Sequence, residues 1–336
     1  MNKLSFSIIK LIRFEFWPTW ALYWPVFIYG LWLIIKSRSF TFFTSANPLM
    51  ELGGLVGESK SSILKTIPEE YLPTTIFIDE ILPLNNILRL MEAHQLQFPI
   101  IIKPDIGERG RGVAKIHSAP ELESYLKQNQ TKLILQSFIE FPIELGILYY
   151  RFPDGTQSGI TSVVAKTFLT VTGNGKDDLD TLIRTSMRAN LQLDYLLQKF
   201  STRLGEIISD KETIMLEPIG NHCRGTTFHN ANHLINNQLV KVFDNLTKDM
   251  KGFYIGRFDL KVTSIPDLYL GKHIQIMELN GVASEPAHIY DPDTSLYQAY
   301  KALLHHWKLV YKIAKQNRKL GYVDASFRQL FMALKR

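Results

Sequence analysis

Cysteine is the scarcest residue in this chain, which has 336 residues and a single cysteine, Cys223. One cysteine excludes an intramolecular disulfide, so the fold does not need an oxidising compartment and a cytoplasmic location is expected. Hydrophobic residues make up 46% of the chain. That fraction is enough to bury a large core, and a chain of this length is expected to divide into two or three subdomains.

The net positive charge of the chain is confined to its two ends. Residues 1–38 hold five Lys or Arg and one acid, a net +4, and residues 301–336 hold nine and one, a net +8. The overall charge is +6, so residues 39–300 carry a net −6. Basic ends on an acidic body argue against general nucleic-acid binding and favour an anionic lipid surface or an acidic partner. A basic face that only improves solubility is the alternative for the C-terminal end.

A long uncharged stretch occurs near the N-terminus, where Trp17–Ile35 contains four of the five tryptophans. A helix of that length could just span a bilayer, and Trp and Tyr prefer the headgroup region. Pro18 and Pro25 interrupt the run, and its spread of aromatics suits a helix lying in the interface. Three interpretations of residues 14–36 stay open: an in-plane anchor, a span, or a cap packed on the protein or on a second copy. No small-residue cleavage site follows it, so we expect no removed signal peptide.

The chain lacks the Gly-Lys-Ser/Thr ending of a P-loop but has another glycine-rich segment. An apolar strand ends at Lys103, and a loop follows with Gly107, Gly110, Gly112 and Arg109. Backbone N–H groups without side chains can approach phosphate oxygens, and the two cations can neutralise them. The pattern predicts a polyphosphate or nucleotide site, with an ordinary surface turn as the alternative.

Two further strand-like runs carry polar pairs at a spacing of two. Arg257 and Asp259 lie in residues 253–262, and Glu278 and Asn280 lie in residues 274–280. Side chains two apart project from one face of a strand, so the four groups could converge. Asp259, Glu278 and Asn280 are oxygen donors suited to Mg²⁺, and Arg257 could stabilise a transferring phosphoryl group. An antiparallel pair with a solvated outer face is the alternative.

With these elements in this order, residues 55–300 resemble the ATP-grasp superfamily, and most closely its D-alanine–D-alanine ligases and cyanophycin synthetase. The resemblance implies an α+β fold in which two subdomains grip ATP. It implies catalytic roles for Arg257 and Lys166, and a metal site at Asp259, Glu278 and Asn280. The nucleotide-binding residues that it implies are Lys103, Gly107, Arg109, Gly110, Gly112, Gln136, Phe138, Ile139, Glu144 and Lys166. Among these, Gln136 stands where glutamate is more usual, Phe138 and Ile139 would offer backbone groups to adenine, and Glu144 would bind the ribose hydroxyls.

The resemblance also suggests how the chain is divided. Residues 1–38 would form the membrane-associating segment, 39–95 a reduced region before the ATP-grasp domain, 96–300 the domain itself and 301–336 a basic C-terminal helix. Residues 39–48 are predicted to form a strand with a turn, residues 98–140 strand, loop, strand, helix and strand, and residues 143–166 a hairpin. The last long helix is expected to begin near Asp293 and Thr294, which are good N-caps.

The activity implied is that of an ATP- and Mg²⁺-dependent ligase, with Mn²⁺ as the alternative ion. It would convert a small-molecule carboxylate into an acylphosphate, join it to an amine and release ADP and phosphate, at the inner face of the membrane. A kinase that phosphorylates a hydroxyl and a non-catalytic nucleotide-binding membrane protein are the alternatives. His222 or Arg224 could bind the acyl carboxylate, or His222 could accept the amine proton. His288 and Glu285 are further candidates for the substrate site. For all four residues the alternative is an ordinary loop residue.

Overall fold

The structure is a computed structural model that describes residues 11–107, 110–218, 220 and 222–335. Its helices are α1 (Thr19–Ser37), α2 (Lys60–Leu64), α3 (Leu84–Ala93), α4 (Ala119–Gln128), α5 (Leu179–Thr185), α6 (Met187–Asn190), α7 (Leu193–Lys199), α8 (Asn237–Thr247), α9 (Ile265–Leu270), α10 (Leu296–Lys319) and α11 (Phe327–Leu334). Its strands are β1 (Thr75–Ile78), β2 (Ile100–Pro104), β3 (Ala114–Ile116), β4 (Leu133–Ser137), β5 (Ile143–Arg151), β6 (Ser158–Thr167), β7 (Leu169–Thr172), β8 (Thr213–Glu217), β9 (Thr227–Asn230), β10 (Ile255–Val262) and β11 (Ile274–Asn280).

The strands form antiparallel sheets, which confirms the predicted α+β class. A four-stranded sheet has the order β1-β4-β2-β3, a five-stranded sheet has the order β11-β10-β5-β6-β9, and β7 pairs with β8. The predicted succession over 98–140 is confirmed as β2, a loop, β3, α4 and β4. The predicted hairpin is confirmed as β5 and β6, which pair from Leu145 opposite Ala165 to Arg151 opposite Ser158.

The four-stranded sheet has one apolar face and one face that turns toward the larger sheet. Ile100, Ile102 and Leu135 are fully buried in a cluster with Ile87 of α3 and Leu122 of α4. Side chains alternate along a strand, so Lys103 and Gln136 must project from the opposite face. Ile134 on that face belongs to the core of the five-stranded sheet, so the two sheets meet there.

The five-stranded sheet packs its apolar face on α8. Ile147 of β5 and Phe258 of β10 are fully buried there, and the Phe258 ring lies 5.3 Å from that of Phe243 in α8. Burial of these large side chains removes apolar surface from water and contributes most to the stability of this unit. The opposite face of the same strands is left for polar groups.

The terminal segments pack on each other beside the large sheet. Leu33 of α1 lies in one apolar cluster with Leu309 and Ile313 of α10. Helix α10 begins one residue later than expected, because the N-cap is Ser295, whose hydroxyl accepts from the Gln298 N–H in a capping box. Arg318 near its end donates to the Ser37 carbonyl at 2.9 Å. The basic end of α10 therefore lies beside the end of α1.

The predicted strand at 39–48 is wrong, because residues Phe42–Ala46 form a 3₁₀ turn. The Thr44 hydroxyl donates to the Thr41 carbonyl at 2.7 Å, and Asn317 of α10 donates to the Ser45 carbonyl at 2.8 Å. Local hydroxyl bonds of this kind compete with strand pairing, and here α10 covers the backbone that a strand partner would need. The alternation of Phe and Thr therefore does not indicate a strand here.

Within the part of the chain that the structure describes, one helix has the length and apolar character needed to cross a membrane. It is α1, and 17% of its most apolar window is buried. This is weak evidence for a span, because core helices and signal sequences have the same length and composition.

Candidate active site

The face of the five-stranded sheet opposite its apolar core collects the polar side chains predicted from β10 and β11. Asp259 lies directly opposite Glu278, and Arg257 directly opposite Asn280. Directly opposed residues of an antiparallel pair project from the same face. The structure thus brings these four side chains together, and Phe258 between them is buried on the other face.

Lys166 of β6 completes a buried charge cluster on this face. Its Nζ lies 2.9 Å from Asp259 Oδ1 and 3.0 Å from Glu144 Oε1. Arg257 Nη2 lies 3.1 Å from Asp259 Oδ2, and Asn280 Nδ2 donates to the same oxygen at 3.1 Å. The Lys166, Glu144 and Asp259 side chains are 6–7% exposed. Buried charges are costly unless paired, and here two cations and two carboxylates balance one another.

The pairing keeps the cluster ionised. Burial raises the pKa of the Asp259 carboxyl, but Arg257 and Lys166 outweigh burial and lower that pKa to about 2. Burial lowers the pKa of Lys166, but Asp259 and Glu144 outweigh it, so that pKa lies above its ordinary value. Lys166 and Arg257 therefore remain positive and Asp259 negative at neutral pH, which suits a site for phosphate oxygens and a cation.

Gly146 of β5 makes room for this cluster. A Cβ atom at Gly146 would lie 2.9 Å from Val164 Cγ1, 3.2 Å from Asp259 Oδ1 and 3.3 Å from Arg257 Cδ. Contacts this short would push the Asp259 and Arg257 side chains out of place. The glycine is required for the close approach of side chains on β10, the neighbouring strand.

Lys103 reaches the site from the four-stranded sheet. Its Nζ donates to the Met277 carbonyl on β11 at 2.8 Å, next to Glu278. Burial lowers the pKa of Lys103 to about 8; Glu278 opposes this effect, and Lys60 adds to it. A cation from the four-stranded sheet thus lies against strand β11 of the five-stranded sheet.

The glycine-rich loop is held through its carbonyl groups. Gly110 and Gly112 have φ values of 72° and 70°, in the region that favours glycine. Lys60 donates to the Gly107 carbonyl, Arg224 to the Gly110 carbonyl at 2.9 Å, and Tyr125 to the Gly112 carbonyl at 2.5 Å. Arg109 lies outside the described residues. Three carbonyl groups of the loop are therefore bound by side chains of the protein.

The predicted adenine-binding segment connects the two sheets. Gln136 is buried and donates to Thr75 Oγ1 at 3.1 Å, and the Phe138 N–H donates to the Pro99 carbonyl at 3.3 Å. The Phe138 N–H is therefore engaged within the protein. The Ile139 carbonyl accepts from Lys261 Nζ at 3.1 Å. Glu144, the predicted ribose ligand, is paired with Lys166 in this structure.

Two lysines near the site, Lys261 and Lys60, were not predicted from the sequence. Lys261 projects from the same face as Asp259, and its Nζ lies 5.4 Å from the Phe138 ring. The spacing of two along β10, which already linked Arg257 and Asp259, could have found it. Lys60 approaches Lys103 and the Gly107 carbonyl, and no local signal predicts that contact.

The other candidates, His222, Arg224, His288 and Glu285, line the side of the site near β9. The His222 ring lies 5.4 Å from the Phe228 ring and 5.0 Å from the Tyr290 ring. Phe228 is directly opposite Lys166 on the sheet. His288 Nδ1 is 2.8 Å from Ser162 Oγ. These residues therefore border the charge cluster.

The N-terminal segment supplies further polar groups at the same border. Glu15 is buried and lies 2.7 Å from Arg188 Nη2 and 3.3 Å from His222 Nε2. Burial raises the pKa of Glu15, but His222 and Arg188 outweigh it and lower that pKa. Tyr23 of α1 and Tyr290 both donate to Glu285, the latter at 2.5 Å. No local pattern in the sequence predicts the contacts of Glu15 with His222 or of Tyr23 with Glu285.

The donor set fits a magnesium ion that is shared with phosphates. Within the described ranges, no group of three or more His, Cys, Asp or Glu side chains could hold a metal by itself. Mg²⁺ is usually held by one or two carboxylates together with water and substrate phosphates. Asp259 and Glu278, with the amide of Asn280, match that chemistry.

Comparisons with known proteins gave similar solved structures but no similar sequence. No family model matches the chain, and no curated protein sequence matches it. Its structure is similar to D-alanine–D-alanine ligase from Bacillus anthracis, solved with ATP, at 14% identity and a TM-score of 0.44, covering 78% of this chain and 68% of that chain. VanG D-Ala:D-Ser ligase from Enterococcus faecalis is 13% identical with a TM-score of 0.40, and the match covers 77% of this chain and 61% of that chain. A bifunctional glutathione synthetase from Pasteurella multocida is 12% identical with a TM-score of 0.39, and the match covers 75% of this chain and 35% of that chain.

This chain thus spans between about a third and about two thirds of the length of these proteins. Likeness at this level does not identify an activity.

Proposed function

We propose that this chain is an ATP- and Mg²⁺-dependent ligase. It would activate a small-molecule carboxylate as an acylphosphate, join the acyl group to an amine and release ADP and phosphate. The observation that carries the proposal is the buried cluster of Lys166, Arg257 and Asp259, which Lys103 approaches from the opposite sheet. An ion cluster in a cleft between two sheets contributes little to stability, and it has the charges that phosphoryl transfer needs.

The first step would place nucleotide phosphates between the two sheets. Lys103, Lys166 and the 107–112 loop would hold the phosphates, and Asp259, Glu278 and Asn280 would hold Mg²⁺. The bound ion would neutralise the β- and γ-phosphates. In the described structure Lys166 and Arg257 both contact Asp259. When ATP binds, both side chains would have to turn away from Asp259 and toward the phosphates. Arg257 would then stabilise the charge on the γ-phosphoryl group as the substrate carboxylate attacks it.

The second step would use the border formed by β9 and the N-terminal segment. The amine nitrogen attacks the acyl carbon, the carbon–nitrogen bond forms, and the carbon–oxygen bond to phosphate breaks with release of inorganic phosphate. Water must be kept out, because an exposed acylphosphate hydrolyses. Arg224 bridges this border to the Gly110 carbonyl and so would help to close the glycine-rich loop over the site.

Trapping the activated acyl group with hydroxylamine tests this function. Purified protein, ATP and Mg²⁺ are incubated with a library of carboxylates, and hydroxamate and ADP are measured. Hydroxamate that depends on ATP supports the ligase. A stable phosphorylated product without hydroxamate indicates the kinase, and nucleotide binding without ADP from any substrate indicates the non-catalytic protein.

Matched variants show whether the signal comes from the proposed site. Arg257→Lys keeps the charge but loses the two-pronged contact to Asp259, and we expect hydroxamate formation to fall by about a hundredfold. Glu92→Gln changes an exposed carboxylate of α3 and should leave the rate unchanged. Equal rates in wild type and Arg257→Lys would remove Arg257 from the chemistry.

We also propose that the protein docks in the plane of an anionic membrane surface through α1. Leu22, Val26 and Leu33 are buried on its inner side. Its outer side carries large apolar residues that are 49–76% exposed: Trp20, Trp24, Phe27, Ile28, Leu31, Trp32 and Ile35. A helix packed on the protein along one side and apolar on the other suits an interfacial position. A span would require the inner contacts to break.

Charge beside this helix favours anionic lipid. Lys36 lies at the end of α1, and its Nζ is 5.4 Å from the Tyr311 ring of α10. Arg318 of the basic α10 binds the Ser37 carbonyl. Cations beside an exposed aromatic face attract phosphate headgroups while the rings enter the interface.

Vesicle co-sedimentation tests the docking. Trp24→Ser and Ile35→Ser should each weaken binding to vesicles containing phosphatidylglycerol by about tenfold, because each removes apolar area from the interface. Leu270→Ser removes an equally exposed residue, 61% accessible, from α9 and serves as the control. Higher salt should weaken wild-type binding. Retention of both α1 variants on vesicles at wild-type affinity would exclude this surface.

A further inference from the structure

Glu285 lies at the edge of the site in an arrangement that the reaction scheme above does not use. It is half-buried, and its two oxygens accept from the hydroxyls of Tyr23 and Tyr290. Among the described residues, no cation lies within salt-bridge distance of it. A carboxylate has about four acceptor positions, so each oxygen can accept one more bond. Glu285 is thus a fixed negative charge with capacity for a cationic ligand.

The position of Glu285 relates it to the second substrate. It follows Asn280 by five residues, and its charge contributes to the raised pKa of Arg257. Ring contacts join Tyr290 to His222 at 5.0 Å and His222 to Phe228 at 5.4 Å. Phe228 lies opposite Lys166. The carboxylate is therefore close enough to Arg257 to affect its pKa, and it lies outside the ion cluster that would bind phosphates.

The surroundings of Glu285 suit an organic ammonium group better than a metal ion. A metal ion would need further carboxylate or carbonyl oxygens, whereas the groups in contact with this carboxylate are the hydroxyls of Tyr23 and Tyr290, and the His222 ring lies next to Tyr290. Aromatic faces attract ammonium groups, and a carboxylate accepts a charge-assisted hydrogen bond from them.

One side of this environment is the membrane-docking helix itself. The Phe27 ring lies 6.1 Å from the Tyr23 ring and is one helical turn further along α1. Phe27 is 53% exposed and belongs to the outer apolar face. Aromatic side chains therefore lead without a break from the proposed lipid interface, through Phe27 and Tyr23, to Glu285.

We propose that Glu285 binds the ammonium head group of the amine substrate and that this amine is an amphiphile resident in the membrane, whose apolar part lies along α1. The inference rests on the ligase function proposed above. Before attack, the ammonium gives one proton to the Glu285 carboxylate. The neutral nitrogen then forms the bond to the acyl carbon as phosphate leaves with the electrons of the carbon–oxygen bond. The second proton lost by the nitrogen passes to the leaving phosphate, which is released as hydrogen phosphate.

Head-group recognition is measured first without any reaction. The probes are dodecylamine and dodecyltrimethylammonium, each carried in phosphatidylcholine vesicles; the second has the same chain and charge but no N–H donor. We expect wild type to bind the dodecylamine vesicles about ten- to a hundredfold more tightly than Glu285→Gln does, because a charge-assisted hydrogen bond is lost. Binding to the trimethylammonium vesicles should be similar in the two proteins. Equal binding of dodecylamine by both would overturn the proposal.

A second measurement separates this inference from the ligase function. Hydroxylamine is neutral near pH 7 and needs no ammonium site, so the ratio of dodecylamine coupling to hydroxamate formation is compared between variants. The ratio should fall about ten- to a hundredfold in Glu285→Gln and to a smaller extent in Tyr23→Phe. A fall in both products together, with the ratio unchanged, would refute the role of Glu285 in amine binding.

The remaining outcomes also discriminate. Absence of hydroxamate in wild type together with selective dodecylamine binding would refute the ligase function and support the ammonium site. Coupling of propylamine as efficiently as dodecylamine in wild type would overturn the amphiphile and leave a soluble amine. If Glu285→Gln is unstable, Tyr23→Phe takes its place in these measurements, because it removes one hydroxyl and retains the ring. Thermal unfolding of Tyr23→Phe checks that the fold of this variant is intact.

Discussion

Replacing Lys166 by methionine tests the buried charge cluster most directly. Methionine is similar in length but has no charge, so Glu144 loses a partner at 3.0 Å and Asp259 one at 2.9 Å. Removing one member of a buried ion pair typically costs about 3–5 kcal/mol, because the remaining charge is left without compensation. We expect Lys166→Met to lower the free energy of unfolding by about that amount at neutral pH.

Urea unfolding at equilibrium measures this loss, and a second substitution identifies its source. In Lys166→Met combined with Glu144→Gln, one uncompensated carboxylate is gone, and stability should recover by about 1 kcal/mol or more. Lys241→Met in α8, where the lysine is exposed, is the matched control and should change stability little. A Lys166→Met protein within about 1 kcal/mol of wild type would refute the reasoning.

The pH dependence of the same variant provides an independent check. The pKa of Asp259 is about 2 when folded, against 3.8 for the free carboxyl. A lowered folded pKa contributes stability above the unfolded pKa, here about 2 kcal/mol, and that contribution is lost as pH falls from about 4 to about 2. Lys166→Met should lose less stability across this window, because Asp259 then retains only Arg257. If Lys166→Met lost as much stability as wild type between about pH 4 and about pH 2, the pairing of Lys166 with Asp259 would be contradicted.

Three other predictions concern the nucleotide side of the site. The pKa of Lys103 is about 8, so ATP affinity, measured by calorimetry, should fall as pH rises through that value. In Lys103→Arg the fall in affinity should occur at higher pH. An ATP affinity that does not depend on pH would exclude contact between Lys103 and the phosphates. Gly146→Val should reduce turnover at least about a hundredfold, because its side chain would occupy the space of Asp259 and Arg257. Turnover at the level of Gly205→Val, which changes an exposed turn with open space around it, would contradict this. Glu278→Gln should weaken the Mg²⁺ dependence of ADP formation by at least about tenfold, and an unchanged Mg²⁺ titration would remove Glu278 from the metal site.

Parts of the site could be predicted because strand geometry is local. Arg257, Asp259, Glu278 and Asn280 alternate with apolar residues, and the alternation alone places each pair on one face. The register between β10 and β11 then brought the two pairs opposite each other. Lys261 obeys the same alternation, so residue spacing also places it on the face of Arg257 and Asp259.

Other contacts had no local signal. Lys103 meets the Met277 carbonyl across 174 residues, and His222 meets Glu15 across 207. Such pairs depend on how sheets and terminal segments pack, which local periodicity does not encode. Residues 39–48 show the opposite error, since a strand-like pattern of Phe and Thr became a 3₁₀ turn once α10 covered it.

By itself, the sequence determined which side chains share a face, where the glycine-rich loop lies, and that α1 is apolar all around, because these follow from residue spacing and composition. Only the tertiary structure decided that Glu144 and Asp259 share Lys166, and that Tyr23 reaches Glu285. It also decided that the outer side of α1 is the exposed one. The physical reason is that alternation and helical period act within a few residues, whereas burial and charge pairing are set by the packing of segments far apart in the chain.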